Sequence, residues 1–212
     1  MDRACLQFRL PKSNRKKISF VMRETGSDIR VTAFARWLHM TLEILCAKPF
    51  DAATVALLGR ITFAKTFGHM FLGHRDDLRT YLAKTFDAGK IRCSLGKPEI
   101  TYWLAYRNRL PVGYAKLKFP SAPPGEPGCD AAQRQKIYVL REFLGDGIGR
   151  ALAAPLLEAA ARLSPFIWLG VLGQNERAIG FYTTCGFAMI GDDTYTIGAQ
   201  RFLFRLMARP LP

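Results

Sequence analysis

The sequence predicts one α/β domain built on a sheet of mixed direction with helices on its faces. Three observations carry that prediction. Strand-like and helix-like stretches alternate from Met40 onward. Two β-rich runs early in that series are joined by a short turn, as in an antiparallel hairpin. Three glycines, Gly145, Gly147 and Gly149, stand between a strand and an alanine- and leucine-rich helix, where α/β proteins place anion sites. At 212 residues, 49% apolar and 23% charged, the chain suits one well-buried domain, or one domain with an appendage.

The elements follow in order. Residues 1–39 show no sustained period and carry nine Lys and Arg against three acids, so they form a basic, poorly ordered extension ahead of a domain spanning 40–212. "LEILCA" (42–47) is a strand, and Asp51 is placed to cap a helix through Ala52, Val55, Leu58, Ile61 and Thr62. A second helix occupies "DDLRTYLAKTF" (76–86). The hairpin is "TYWLAY" (101–106) and "VGYAKLK" (112–118), joined by "RNRLP". "FPSAPPGEPG" (119–128) is loop, because prolines withhold backbone donors and fix φ. "KIYVL" (136–140) resumes the sheet. Ile148, Leu152, Leu156, Ala159 and Leu163 then lie on one helical face. "FIWLGVL" (166–172) is a buried strand, Asn175 caps a short helix that ends at Gly186, and "FAMI" (187–190) and "QRFLFRLM" (200–207) close the sheet.

Composition removes several classes of function. No apolar run approaches the roughly 20 residues that cross a bilayer, and the N-terminus has no signal-peptide pattern, so a soluble cytoplasmic protein without membrane attachment is expected. Five scattered cysteines, none in a Cys-x-x-Cys pair, indicate neither a disulfide framework nor a zinc site. The net charge of +14 favours anionic partners. Basic residues are not interleaved with aromatics in a stripe, so dedicated nucleic-acid binding is not expected, although an accessory role remains an alternative.

The glycine cluster fits neither common phosphate motif. It is G-x-G-x-G without the sixth-position glycine of a dinucleotide fold, and Leu169 stands where that fold wants an acid. No G-x-x-x-x-G-K-[ST] is present. A second constellation, "NERAIGFYTTCGF" (175–187), follows it. Together, "YVLREFLGDGIGRAL" and "NERAIGFYTTCGF" resemble the GNAT acetyltransferase superfamily over about residues 41–208. Gly147 and Gly149 match its cofactor loop, with Leu144 in place of the usual Gln or Arg, and Asn175, Ala178, Phe181, Tyr182, Gly186 and Phe187 match its second motif. "TFAKTFGHMF" ahead of the 76–86 helix looks like the polyamine-type branch.

The resemblance implies a mostly antiparallel sheet in which strands 136–140 and 166–172 splay into a notch for acetyl-CoA. Backbone of Val139 and Leu140 would meet the pantetheine. The amides of Gly145, Asp146, Gly147, Ile148, Gly149 and Arg150 would hold the pyrophosphate, with charge added by Arg150 and Arg141. Asn175 would cap its helix and touch the pantetheine. Tyr182, beside an inward stripe of Ala178, Phe181 and Cys185, would donate a hydrogen to the departing CoA thiolate.

The acceptor implied is a primary amine of a small molecule such as a polyamine, with a peptide or protein amine, or acyl-CoA binding without catalysis, as alternatives; a homodimer is compatible. The segment "AQRQKIYVL" carries Gln133 and Gln135 where relatives place an acid, so the general base is open among His69, Glu99 and Glu142. Phe67, Phe71, Tyr81 and Tyr102 are candidate pocket aromatics.

Overall fold

The computed structural model describes residues 8–9, 41–126 and 128–212. The expectation for residues 1–39 therefore lies outside the described residues, apart from Phe8–Arg9. The strands are β1 (Phe8–Arg9), β2 (Leu42–Cys46), β3 (Ile100–Arg107), β4 (Leu110–Lys118), β5 (Ala132–Val139), β6 (Phe166–Leu172), β7 (Ala188–Ile197) and β8 (Gln200–Pro210). They form one sheet in the order β1-β2-β3-β4-β5-β6-β8-β7. Every neighbouring pair is antiparallel except β5 with β6. A parallel pair needs a crossover, and the helix α4 (Ile148–Ala161) supplies it. The mixed, mostly antiparallel α/β sheet expected from the sequence is the fold observed.

The β3–β4 hairpin closes through Asn108 and Arg109, both at positive φ (50° and 68°), the backbone of a two-residue turn that matches strand twist. Alternation along β3 and β4 then builds a core on each face. Trp103, Ala105, Ala115 and Leu117 pack under α4 with Ile148, Leu152 and Leu156. Tyr102, Leu104 and Tyr114 pack on the opposite face with Val55 and Leu58 of α1 (Ala52–Phe67) and Ile91 of α3 (Ala88–Leu95). A third cluster joins α1 and α2 (Arg75–Thr85) to β6 and β8 through Phe63, Phe71, Phe86, Leu172 and Phe202.

Several boundaries differ from the sequence expectation. Asp51 does hold the position before α1, but its carboxylate accepts from the Lys48 amide at 2.8 Å rather than from the helix, because a 3-10 turn over Pro49–Asp51 precedes α1. Helix α3 was not expected; its signal is Asp87, whose side chain accepts from the Lys90 amide at 2.7 Å, obscured by Gly89 in the first turn. Leu163 lies beyond the end of α4 and is 40% exposed, and Ala160 takes the core position instead. β5 begins at Ala132, four residues ahead of "KIYVL", and β7 runs on to Ile197 through polar residues exposed at the sheet edge.

Candidate active site

The parallel pair β5–β6 is joined only at Ala132↔Ile167 and Gln133↔Trp168, after which the strands part. The cause lies on the other side of β5. Lys116 of β4 opposes Lys136 while Leu117 opposes Arg134, which leaves Gln135 as an extra residue. Such a bulge bends its strand and increases the local twist, carrying β5 away from β6. The Leu140 amide donates to the Val112 carbonyl at 2.8 Å, and the Leu140 carbonyl accepts from Phe143 at 2.9 Å. Antiparallel partners alternate between bonded and unbonded pairs, so the N–H and C=O of Val139 turn away from β4 and into the gap. Of the two residues expected to offer backbone there, Val139 does so and Leu140 does not.

Because β5 and β6 run parallel, the loops that leave their C-terminal ends flank the gap at the same end of the sheet. The first is the glycine loop. Gly145 and Gly147 have φ of 102° and 78°, values that disfavour any side chain with a Cβ. Gly149 is different: it is helical, and a Cβ there would make an ordinary 3.8 Å contact with Phe181. Gly147 starts α4 without a side-chain cap, and its carbonyl accepts from Ala151 at 3.0 Å. Among the described residues, no backbone carbonyl takes up the amides from Gly145 to Arg150. A row of unpaired donors at a helix start is the arrangement that phosphate oxygens need. Asp146 and Arg150 are exposed, and Ile148 is buried in the core with only its backbone at the loop.

The second loop leads from β6 into α5 (Glu176–Thr184). Asn175 caps that helix as expected, its Oδ1 accepting from the Ala178 amide at 3.2 Å. Ala178, Phe181 and Cys185 are partly buried, and the deepest residue of α5 is Tyr182, 7% exposed. Its ring lies 5.2 Å from that of Phe181 and 5.9 Å from that of Phe187. The Tyr182 hydroxyl is 2.5 Å from Nη1 of Arg134, on the β5 residue that follows the last β5–β6 pair. Arg134, which the structure brings to Tyr182, is not among the residues singled out from the sequence, because the strand signal of "KIYVL" begins only at Lys136. The available signal was an alternation that places Arg134 on the same face as Ala132.

The other face of β5 has a different character. Lys116 and Lys136 oppose each other across β4 and β5, half-buried, and no carboxylate among the described residues pairs with either. Nζ of Lys136 lies over the Phe86 ring at 4.5 Å and that of Lys116 over Tyr102 at 5.1 Å. Burial lowers the Lys136 ammonium to about 7, helped by the charges of Lys116 and Lys90. Lys116 is lowered to about 8 by burial and then by Lys118, Lys90 and Lys97. Burial also raises the Tyr81 phenol to about 12.

Phe67, Phe71 and Tyr81 come together in one cluster, whereas Tyr102 belongs to another and bonds Ser94 at 3.1 Å. The three candidate bases do not converge. Glu142 is exposed and bonded to Lys65, which holds its carboxyl below the usual range. Glu99 precedes β3 at the end of the sheet away from the glycine loop. His69 lines a groove of about 610 Å³ between α1 and α2, with Arg60, Phe71 and Arg75, and no residue of β5, β6 or the glycine loop reaches that groove.

Two parallel strands part beside a row of unpaired helix-start amides, with a buried phenol at the fork, an arrangement able to take up an anionic group and an extended chain. The family comparison agrees. Residues 67–187 match the acetyltransferase (GNAT) family, and the chain belongs to it. It is an N-acetyltransferase, and acetyl-CoA is its cosubstrate. Among curated relatives, an uncharacterized N-acetyltransferase from the pepI 3′ region of Lactobacillus delbrueckii subsp. lactis is 27% identical over 152 residues, covering 71% of this chain and 87% of that protein. The peptidyl-lysine N-acetyltransferase YjaB of Escherichia coli is 30% identical over 95 residues, covering 44% of this chain and 54% of that protein. The PaiA N-acetyltransferase of Thermoplasma acidophilum, crystallised with coenzyme A, shares the fold with a TM-score of 0.65 at 17% identity, over 81% of this chain and 99% of that one. No helix among the described residues is long and apolar enough to cross a membrane.

Proposed function

We propose that this chain acetylates a primary amine by direct attack of the amine on the acetyl-CoA thioester, in the gap between β5 and β6. The observation that carries the reading is the buried Tyr182 hydroxyl at the fork of those strands, together with the unpaired amides of Gly145 to Arg150 at the end of the gap. In this reading the amides bind the pyrophosphate, with Arg150 adding charge. The backbone of Val139 pairs with the pantetheine as a further strand would, and Asn175 borders its path. Tyr182 donates its hydroxyl hydrogen to sulfur as the C–S bond breaks.

We place the acceptor on the α1–α3 face, where the lysines favour a small amine that is not a polycation. Lys116 and Lys136, with Lys90 near them, repel a second positive charge on the face opposite Tyr182, which weighs against the polyamine form of the reading. The partial likeness to a protein named as a peptidyl-lysine acetyltransferase supports a peptide amine as the second reading. A CoA-release assay over amino acids, aminoglycosides, polyamines and basic peptides tests both. Release that depends on a non-polycationic amine supports the first, and release unchanged by any amine overturns acetyl transfer to amines altogether.

A further inference from the structure

Arg134 is 5% exposed. Its Nη1 lies 2.5 Å from the Tyr182 oxygen, and its guanidinium carbon lies 3.9 Å from the centre of the Tyr182 ring. Among the described residues, Nε has no hydrogen-bond partner and no carboxylate pairs with the group. Tyr182, the residue against it, belongs to an apolar core with Ala132, Ile148 and Leu152 among its members. Removing a guanidinium from water without a counter-charge costs several kcal/mol. Packing alone is better served at this position by Met or Leu. A charge retained at such cost beside one particular hydroxyl calls for a role at that hydroxyl.

The chemistry of the pair supplies it. A guanidinium has five N–H donors and no acceptor, so in this bond the Tyr182 oxygen accepts. The single hydroxyl hydrogen is then turned away from Arg134. We propose that Arg134 is a positioning residue for acetyl transfer: it holds the Tyr182 oxygen as acceptor on one side, so that the phenolic proton is presented to the CoA sulfur on the other. The proposal rests on Tyr182 as the proton donor.

In the step itself, the amine nitrogen forms a bond to the acetyl carbonyl carbon. The C–S bond breaks with its electron pair on sulfur, and the Tyr182 proton passes to sulfur to give the CoA thiol. The phenolate left behind is paired with the Arg134 guanidinium until it regains a proton. The attacking amine releases one proton to solvent, so the exchange balances as amine and acetyl-CoA going to amide and CoA thiol.

Single-turnover rates, acetyl-CoA affinity and thermal midpoints of Arg134→Met, Arg134→Lys, Tyr182→Phe and the Arg134→Met/Tyr182→Phe double variant test it. Arg134→Met is expected to slow the chemical step about tenfold or more while acetyl-CoA affinity stays within about threefold. The double variant is expected to match Tyr182→Phe, since an effect exerted through the hydroxyl vanishes with it. Arg134→Lys is expected to restore much of the rate near neutral pH and to lose it on the alkaline side, because a buried lysine deprotonates there and an arginine does not. A parent-like rate for Arg134→Met, a double variant slowed by the product of the two single effects, or an Arg134→Lys pH profile identical to the parent's overturns the proposal. If Arg134→Met does not fold, the Arg134→Lys profile alone decides. A full chemical rate in Tyr182→Phe instead removes the proton-donor reading beneath it, and so separates the two failures.

Discussion

On the α4–α5 face of the sheet, the groups assigned to acetyl-CoA are backbone amides, one backbone edge at Val139 and one hydroxyl. On the α1–α3 face the distinctive chemistry is side chains: two half-buried lysines with no acid partner among the described residues, set over a buried cluster of aromatic rings. A backbone site constrains sequence at few places, chiefly Gly145 and Gly147, whose φ angles favour glycine. A side-chain site leaves no such fixed mark, because its specificity comes from which residues the helices happen to bring over the strands. The glycine-loop face is therefore marked in the sequence, and the lysine face is not.

The largest expected effect belongs to the backbone side. Gly147→Val forces a β-branched residue to φ near 78°, which costs roughly 1–3 kcal/mol and crowds the phosphate position, so acetyl-CoA affinity should fall more than about tenfold in calorimetry. Gly149→Ala, with a 3.8 Å contact to Phe181 and ordinary φ, should bind nearly as the parent does. Equal losses in the two variants contradict the loop assignment.

Tyr182→Phe should turn over about tenfold or more slowly with acetyl-CoA affinity largely kept. It also leaves Arg134 Nη1 unpaired in the core, so stability should drop by about 1–3 kcal/mol, read as a lower urea midpoint.

The lysine face makes a pH prediction. Lys136 is near 7 folded and 10.5 in its ordinary state, so between those values the unfolded chain holds more protons than the folded one. Stability from this group therefore rises with pH across that window and is flat below it. Lys136→Met should reduce the rise in urea midpoint between about pH 7 and about pH 9.5, and an unchanged slope places the titration elsewhere. The smallest effect is Asp87→Ala, which removes the α3 cap at a cost of about 1 kcal/mol while leaving acetyl-CoA affinity alone.

The alternation of elements, the hairpin and both motifs were legible because each depends on local spacing: "NERAIGFYTTCGF" carries its cap at Asn175 and, within the same short helix, Tyr182 beside Phe181, although only the structure makes Tyr182 the deepest residue of that helix. The Gln135 bulge was not legible. An extra residue in a strand is defined only against the partner strand, and that bulge decides both which backbone faces the gap and where β5 leaves β6. For the same reason Lys116 and Lys136, and Arg134 and Tyr182, are ordinary residues in the sequence and become pairs only in the sheet.

The sequence by itself determined an α/β chain with a glycine cluster ahead of one helix and a tyrosine beside the inward stripe of another, because composition and helical period act over a few residues. The tertiary structure alone decided that Val139 and not Leu140 lines the gap, that Arg134 lies against Tyr182, and that two lysines share the opposite face. Those outcomes follow from strand register and burial, which join residues from 20 to nearly 50 positions apart and have no period along the chain.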